Sequence, residues 1–274
     1  MDCSGLSSAA RDHLGRVLVV AHMSLFSGEP ENFQRGYAMG PFTRRNLLAS
    51  GASILASRAL GAEKRPVGMQ LILAADVSCS VNTERYAVQQ QGYVRALQDS
   101  RVMQAIRNLD PPVLGVTFVV WAANQTTLVP WMLVHDPQSM GSFCAALQAS
   151  RRPSNLGCAT FIAQALIYSD AQFDTVFQGG RKIIDVSGDG EDSSKQVQLL
   201  RDTRDLLVAR GVTINGLPII VRPPEYIRPP QPPEGLEVYY RNHVVGGPGH
   251  VMVESAGFDN FERAILQKLL LEIA

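Results

Sequence analysis

The sequence predicts an α/β fold: a doubly wound, mostly parallel central sheet with one antiparallel edge strand and helices on both faces. Three observations predict it. Nearly continuous apolar runs such as Met69–Val77 alternate with segments of helical periodicity, as strands covered on both faces by crossover helices do. The second and third apolar runs are joined only by Ala122–Thr126, a link short enough to pair them as an antiparallel hairpin. The chain ends on Phe258, Phe261, Ile265, Leu269 and Ile273, one apolar stripe at steps of three and four residues.

Taken in order, Met69–Val77 (MQLILAADV) is the first strand, and polar residues end it. Asn82 or Thr83 can cap a helix running to about Gln98, with Tyr86, Tyr93, Val94 and Leu97 as its larger apolar side chains. Pro111-Pro112 breaks the chain before the strands Val113–Trp121 and Thr127–Val134. Helical patterns cover about Ser139–Ala149 and Thr160–Ser169. Arg181–Val186 is a fourth strand, Ser193–Arg210 a helix closed by Gly211, and Val212–Val221 a fifth strand. Arg222–Gly235 holds six prolines and reads as a stiff surface loop.

The composition is that of an ordinary globular protein, 46% hydrophobic and 18% charged over 274 residues, with a formal net charge of zero. The basic residues are scattered, which excludes both the electrostatic footprint of a nucleic-acid-binding chain and a basic run that would hold a membrane surface. Residues 1–62 read as an N-terminal extension and export signal. Arg44-Arg45 precede a short apolar run, Leu47–Ala56, diluted by Ser50, Gly51 and Ser53, and the small residues Ala59–Ala62 follow. This pattern resembles a twin-arginine leader cleaved near 61–62. Met39 stands just upstream of the arginines, so a start at Met1 or at Met39 fits. The apolar run is shorter than the roughly 20 residues that span a bilayer. The mature chain is therefore expected without an integral membrane segment, in the periplasm or secreted. Residues 63–274 then form one domain.

Four cysteines, Cys3, Cys79, Cys144 and Cys158, include no C-x-x-C pair, which argues against structural zinc. Beyond the leader three remain. One disulfide, Cys144 to Cys158, fits an oxidising compartment, and three buried thiols are the alternative.

In open α/β sheets ligands bind beyond the carboxyl ends of the strands. Three loops can gather there with oxygen-bearing side chains: Asp76-Val77-Ser78-Cys79-Ser80, Gly157-Cys158-Ala159-Thr160 and Ser187-Gly188-Asp189-Gly190. A hard divalent cation wants such oxygens. Ser78, Ser80 and Thr160 can give neutral hydroxyls, and Asp76 and Asp189 negative charge, directly or through water. Asp185 reads as structural within its strand, and Glu191 and Asp192 as a solvated helix start. His135, His243 and His250 lie apart from these loops and read as surface or packing residues. Gly246-Gly247-Pro248-Gly249 reads as a turn.

The D-x-S-x-S run after an apolar strand, a later Thr and a later Asp-Gly resemble the metal-ion-dependent adhesion site (MIDAS) of von Willebrand factor type A (vWA) domains. The resemblance covers about Met69 to the C-terminus and implies a Rossmann-like, vWA-like fold. It also implies Ser78, Ser80 and Thr160 as direct ligands, with Asp76 and Asp189 held mostly through water, around Mg²⁺ (or Mn²⁺ or Ca²⁺). The stretches IIDVSGDG, GVTINGLPI, VVGGPG and KLLLEIA are similar to those of a narrower group of exported bacterial proteins of this type with no assigned function. The expected function is a binding module whose cation takes a Glu or Asp from a partner protein, and not an enzyme. The alternative is a metal-dependent phosphohydrolase on a related fold. That would need an activated nucleophile or several carboxylates on the metal, and position 78 is Ser where aspartate-based phosphatases carry D-x-D. The folded part has no G-x-S-x-G elbow.

Overall fold

A computed structural model describes residues 64–221 and 232–274. The leader at residues 1–62 and most of the proline-rich loop, residues 222–231, lie outside the described residues. In chain order the elements are β1 (Arg65–Pro66), β2 (Met69–Asp76), α1 (Thr83–Leu97), α2 (Ser100–Arg107), β3 (Leu114–Trp121), β4 (Gln125–Val134), α3 (Pro137–Ala149) and α4 (Ile162–Asp170). There follow β5 (Phe177–Gln178), β6 (Arg181–Gly188), α5 (Val197–Ala209), β7 (Val212–Pro218), α6 (Leu236–Tyr239), which continues as a π-turn over Tyr240–Val244, a 3₁₀ turn at Phe258–Asn260 and α7 (Phe261–Ile273).

The main sheet has the order β4-β3-β2-β6-β7. β4 runs antiparallel to β3 at the edge, and the other pairs are parallel. β1 and β5 form a separate two-stranded parallel ribbon. All eight residues of β2 are buried, because helices cover both faces. Met69, Leu71, Leu73 and Ala75 point into a core shared with Tyr86 and Tyr93 of α1, Val102 of α2, Phe143 of α3 and Phe261 of α7. Ile72 and Ala74 point the other way, towards Ile162 and Leu166 of α4, Leu200 and Leu207 of α5, and Tyr239 and Tyr240. This period-two division explains why the strand reads as one apolar run. Each such large side chain contributes about 1.5–3 kcal/mol on burial. Tyr93 anchors the first core, meeting Phe118 and Phe261 edge-on at centroid distances of 5.5 and 5.1 Å, while its hydroxyl bonds Ser187 Oγ at 3.0 Å.

Helix ends follow local chemistry. The Asn82 side chain accepts from Arg85 N and caps α1; Asp136 caps α3 in a reciprocal box with Ser139, behind Pro137. Gly211, at φ +84°, ends α5 in the left-handed region that favours glycine. α2 has no counterpart among the helices expected from the sequence; Asp99 caps it, and it buries Val102, Met103 and Ile106. The helix expected from Ser193 starts only at Val197. Ser194 N donates to Asp192 Oδ1 in a tight turn, and Lys195, at φ 59°, interrupts helical geometry.

One polar island sits inside the first core. Lys268 of α7, 0% exposed, pairs with Asp185 of β6 and with Glu272 Oε2 at 3.1 Å, and Asn215 Nδ2 donates to the same Glu272 oxygen at 2.7 Å. Asp185 is thus buried in a strand against a helix. Burial pushes the Glu272 carboxyl up to about 7; Lys268 pulls it back and Asp185 raises it further.

Candidate functional site

β2 and β6 are neighbours whose outgoing connections diverge, so their carboxyl ends open a crevice at the switch point of the sheet. Asp76 is the last residue of β2, and Asp189 follows Gly188, the last of β6. The backbone turns tightly after Asp76: Ser78 N donates to Asp76 Oδ1 at 2.7 Å and Val81 N to Ser78 O at 2.9 Å. That turn aims Ser78 and Ser80 the same way. Their hydroxyl oxygens lie 3.1 Å apart, and Ser80 Oγ donates to Asp189 Oδ1 at 2.6 Å. Asp76, Ser78, Ser80 and Asp189 therefore form one hydrogen-bonded group.

Thr160 reaches the same end of the sheet through its backbone. Its N–H donates to Ser193 Oγ at 3.0 Å, and its carbonyl accepts from Ser193 N at 2.8 Å, four residues beyond Asp189. Thr160 is 1% exposed. Asp192, expected in solvent, is buried instead. Its Oδ2 accepts from Ala163 N at 3.2 Å, which satisfies the start of α4, a helix with no side-chain cap of its own.

The cysteine expectation is corrected. Cys79 is bonded to Cys158, and Cys144 is a free, buried thiol. Cys144 lies in the core between α3 and α1, with Sγ 3.9 Å from Val94 O, whereas Cys79 and Cys158 stand on loops that meet across 79 residues of sequence. The bridge thus joins the serine loop to the threonine loop.

Two arginines brace the group. Arg85 Nη1 donates to Ser80 O at 2.8 Å, lies 3.7 Å from Asp189 Oδ2, and its guanidinium sits 4.9 Å over the Phe258 ring. Arg152 donates to Val81 O, Val77 O and Ser78 O at 2.9, 2.6 and 3.2 Å. Beneath the group, a Cβ at Gly188 would lie 2.7 Å from the Tyr240 hydroxyl, 3.1 Å from Asp76 Oδ2 and 3.2 Å from Trp121 Cη2. Neither arginine, nor Tyr240, carries a local sequence signal; each arrives through the tertiary fold.

The electrostatics are those of a site short of positive charge. Asp76 is fully buried and its Oδ2 has no hydrogen-bond partner. Burial, and then the facing Asp189, push its carboxyl up to about 8. Burial also raises Asp189, which the Ser80 hydrogen bond and Arg85 pull back. An orphaned carboxylate oxygen beside serine hydroxyls and a second carboxylate is a donor set that suits a hard cation. Among the described residues no group of three or more His, Cys, Asp or Glu side chains is placed to hold a metal ion; the oxygens gathered here come from two aspartates and two serines.

This sheet order, with its helices on both faces, is that of a doubly wound α/β fold with one antiparallel edge strand. The family model described as "Protein of unknown function (DUF1194)" matches residues 66–274, and the chain belongs to that vWA-like family. Among solved structures it is similar to proximal thread matrix protein 1 from the mussel byssus, determined with a zinc-occupied MIDAS motif. The TM-score is 0.52 at 14% identity, over 76% of this chain and 46% of that one. It is also similar to a von Willebrand factor type A protein from Catenulispora acidiphila, with a TM-score of 0.50 at 14% identity, over 75% of this chain and 42% of that one. At such identity the likeness is one of fold, and the chain spans less than half the length of either. No curated protein matches it. Among the described residues no helix is long and apolar enough to cross a membrane.

Proposed function

We propose that residues 63–274 form an exported, metal-ion-dependent protein-binding module, delivered by a twin-arginine-type signal within residues 1–62. In this reading Ser78, Ser80 and Thr160 hold a divalent cation, Mg²⁺ or else Mn²⁺ or Ca²⁺, and Asp76 and Asp189 supply negative charge from behind. The observation that carries the reading is the unpartnered, buried Asp76 Oδ2 beside the Ser78–Ser80–Asp189 hydrogen bonds at the sheet's carboxyl end. When bound, the cation supplies an open coordination position for a carboxylate. The residues around it hold that position still: Asp76 fixes the turn through Ser78 N, and Arg85 and Arg152 hold the loop carbonyls. With three neutral hydroxyls as its direct ligands, a bound cation would stay electrophilic and take a Glu or Asp from a partner protein at its open position. The vWA-like byssus protein with its metal-occupied motif supports the reading by analogy of fold.

The test is a pull-down from periplasmic extract with purified protein in Mg²⁺, in chelator, and with Asp76→Ala, combined with a phosphate-ester turnover assay. The proposal expects a partner retained in Mg²⁺ alone and lost in both controls. Metal-dependent turnover that Asp76→Ala removes, without any metal-dependent partner, would replace the binding module with the phosphohydrolase.

A further inference from the structure

The disulfide stands inside the proposed site. Cys79 lies between Ser78 and Ser80, and Cys158 lies two residues before Thr160, with the two Cα atoms 4.6 Å apart. Cys79 N also donates to Cys158 O at 3.4 Å. Both cysteines are exposed, and neither contributes to the two buried cores. The segment that carries Cys158 also carries Arg152, whose guanidinium grips the Val77, Ser78 and Val81 carbonyls. A covalent bond and a three-way charge-assisted fork thus join the serine loop to the threonine loop at their exposed side, above the core residues Val77, Val81 and Leu156. The third described thiol, Cys144, is buried and its pKa is pushed up to about 11, so it stays protonated and out of exchange.

We infer that Cys79–Cys158 and Arg152 form a clamp that sets the spacing of the cation's ligands, and that a dithiol reductant opens it and weakens cation binding. The inference rests on the reading of this site as a metal centre. The exchange balances. A thiolate of the dithiol attacks one cysteine sulfur and breaks the S–S bond, and the other cysteine leaves as a thiolate and takes up a proton. The second thiolate of the reductant then displaces the first cysteine, so the protein gains two electrons and two protons and the dithiol departs as a disulfide. With the bridge open, the two loops explore more conformations, and binding a cation must order them again. The coupling is reciprocal. If reduction weakens the cation tenfold, saturating cation makes the bridge tenfold harder to reduce, which lowers its midpoint potential by about 30 mV.

The experiment titrates the full chain with Mn²⁺ alone, oxidised and after dithiol reduction followed by anaerobic desalting. Circular dichroism confirms that both forms are folded. Affinity at least tenfold weaker in the reduced form supports the clamp. Equal affinities overturn it and leave the metal centre standing, whereas an oxidised protein that takes up no Mn²⁺ overturns both. Should reduction unfold the chain, Arg152→Gln with the bridge intact replaces it: weakened Mn²⁺ binding supports the clamp, and unchanged binding overturns it. The midpoint potential, read in dithiol buffers with and without Mn²⁺, is a second readout that a merely stabilising cross-link would leave unmoved.

Discussion

Gly188→Ala tests how tightly the floor of the site is built. The added methyl would lie 2.7 Å from the Tyr240 hydroxyl, 3.1 Å from Asp76 Oδ2 and 3.2 Å from Trp121 Cη2. A contact of 2.7 Å is inside van der Waals distance, so something must move. Tyr240, Asp76 and Trp121 are each 0% exposed and cannot swing into solvent, and Gly188 is held in β6 between β2 and β7. Over-packing of this kind costs about 1–3 kcal/mol. With a urea slope of roughly 1–3 kcal/mol per molar, a loss of about 2 kcal/mol moves the midpoint by on the order of 1 M. Tyr240→Phe removes the oxygen nearest the methyl, so the double variant should recover part of the loss, with a coupling of at least about 0.5 kcal/mol. Mn²⁺ affinity should fall in Gly188→Ala as well, because Asp76 is one of the displaced groups. A midpoint within about 0.5 kcal/mol of the parent's, with no coupling to Tyr240→Phe, would refute the packed floor.

Lys268→Met keeps the buried stem but removes the ammonium between Asp185 and Glu272. Urea unfolding should show a loss of about 3–5 kcal/mol, and a change below about 1 kcal/mol would mean the island is not held by charge. The Glu272 carboxyl is raised in the folded state, from 4.5 to about 7. Its contribution to stability is therefore fully present below about pH 4.5 and lost as pH rises through about 7. Glu272→Gln should flatten the fall in stability across that window, and identical slopes in the two proteins would contradict the assignment. Replacing Arg44 and Arg45 with Lys should retain the protein in the cytoplasm on cell fractionation; normal export would remove the twin-arginine reading.

Much of the fold is legible because it follows local rules. β2 reads as a strand because both its faces are buried, the β3–β4 hairpin because its link is short, and α7 because one stripe carries its core contacts. The D-x-S-x-S run is equally local: the Asp76–Ser78 turn and the Ser78–Ser80 spacing lie within five residues. What failed was tertiary. The expected pair was Cys144 with Cys158, but Cys144 faces inward from α3, whereas Cys79 and Cys158 meet because the sheet brings two loops to one end. Asp192 looked like a solvated polar residue because nothing in its neighbourhood tells that α4 needs a cap from another loop. Arg152 and Tyr240 were missed for the same reason. Their partners, the Val77–Val81 carbonyls and the space beside Gly188, lie far from them in sequence.

The proposed module stands or falls on cooperativity between cation and carboxylate. The direct measurement is calorimetric titration of Mn²⁺ into the oxidised full chain, with and without a glutamate-bearing peptide, alongside Asp76→Ala. A hydroxyl-rich site should bind the ion modestly alone. The peptide should raise that affinity, and the ion should raise the peptide's affinity by the same factor. Asp76→Ala should lose both while keeping the parent's circular dichroism. Tight Mn²⁺ binding indifferent to the peptide, or no Mn²⁺ binding at all, would contradict the account.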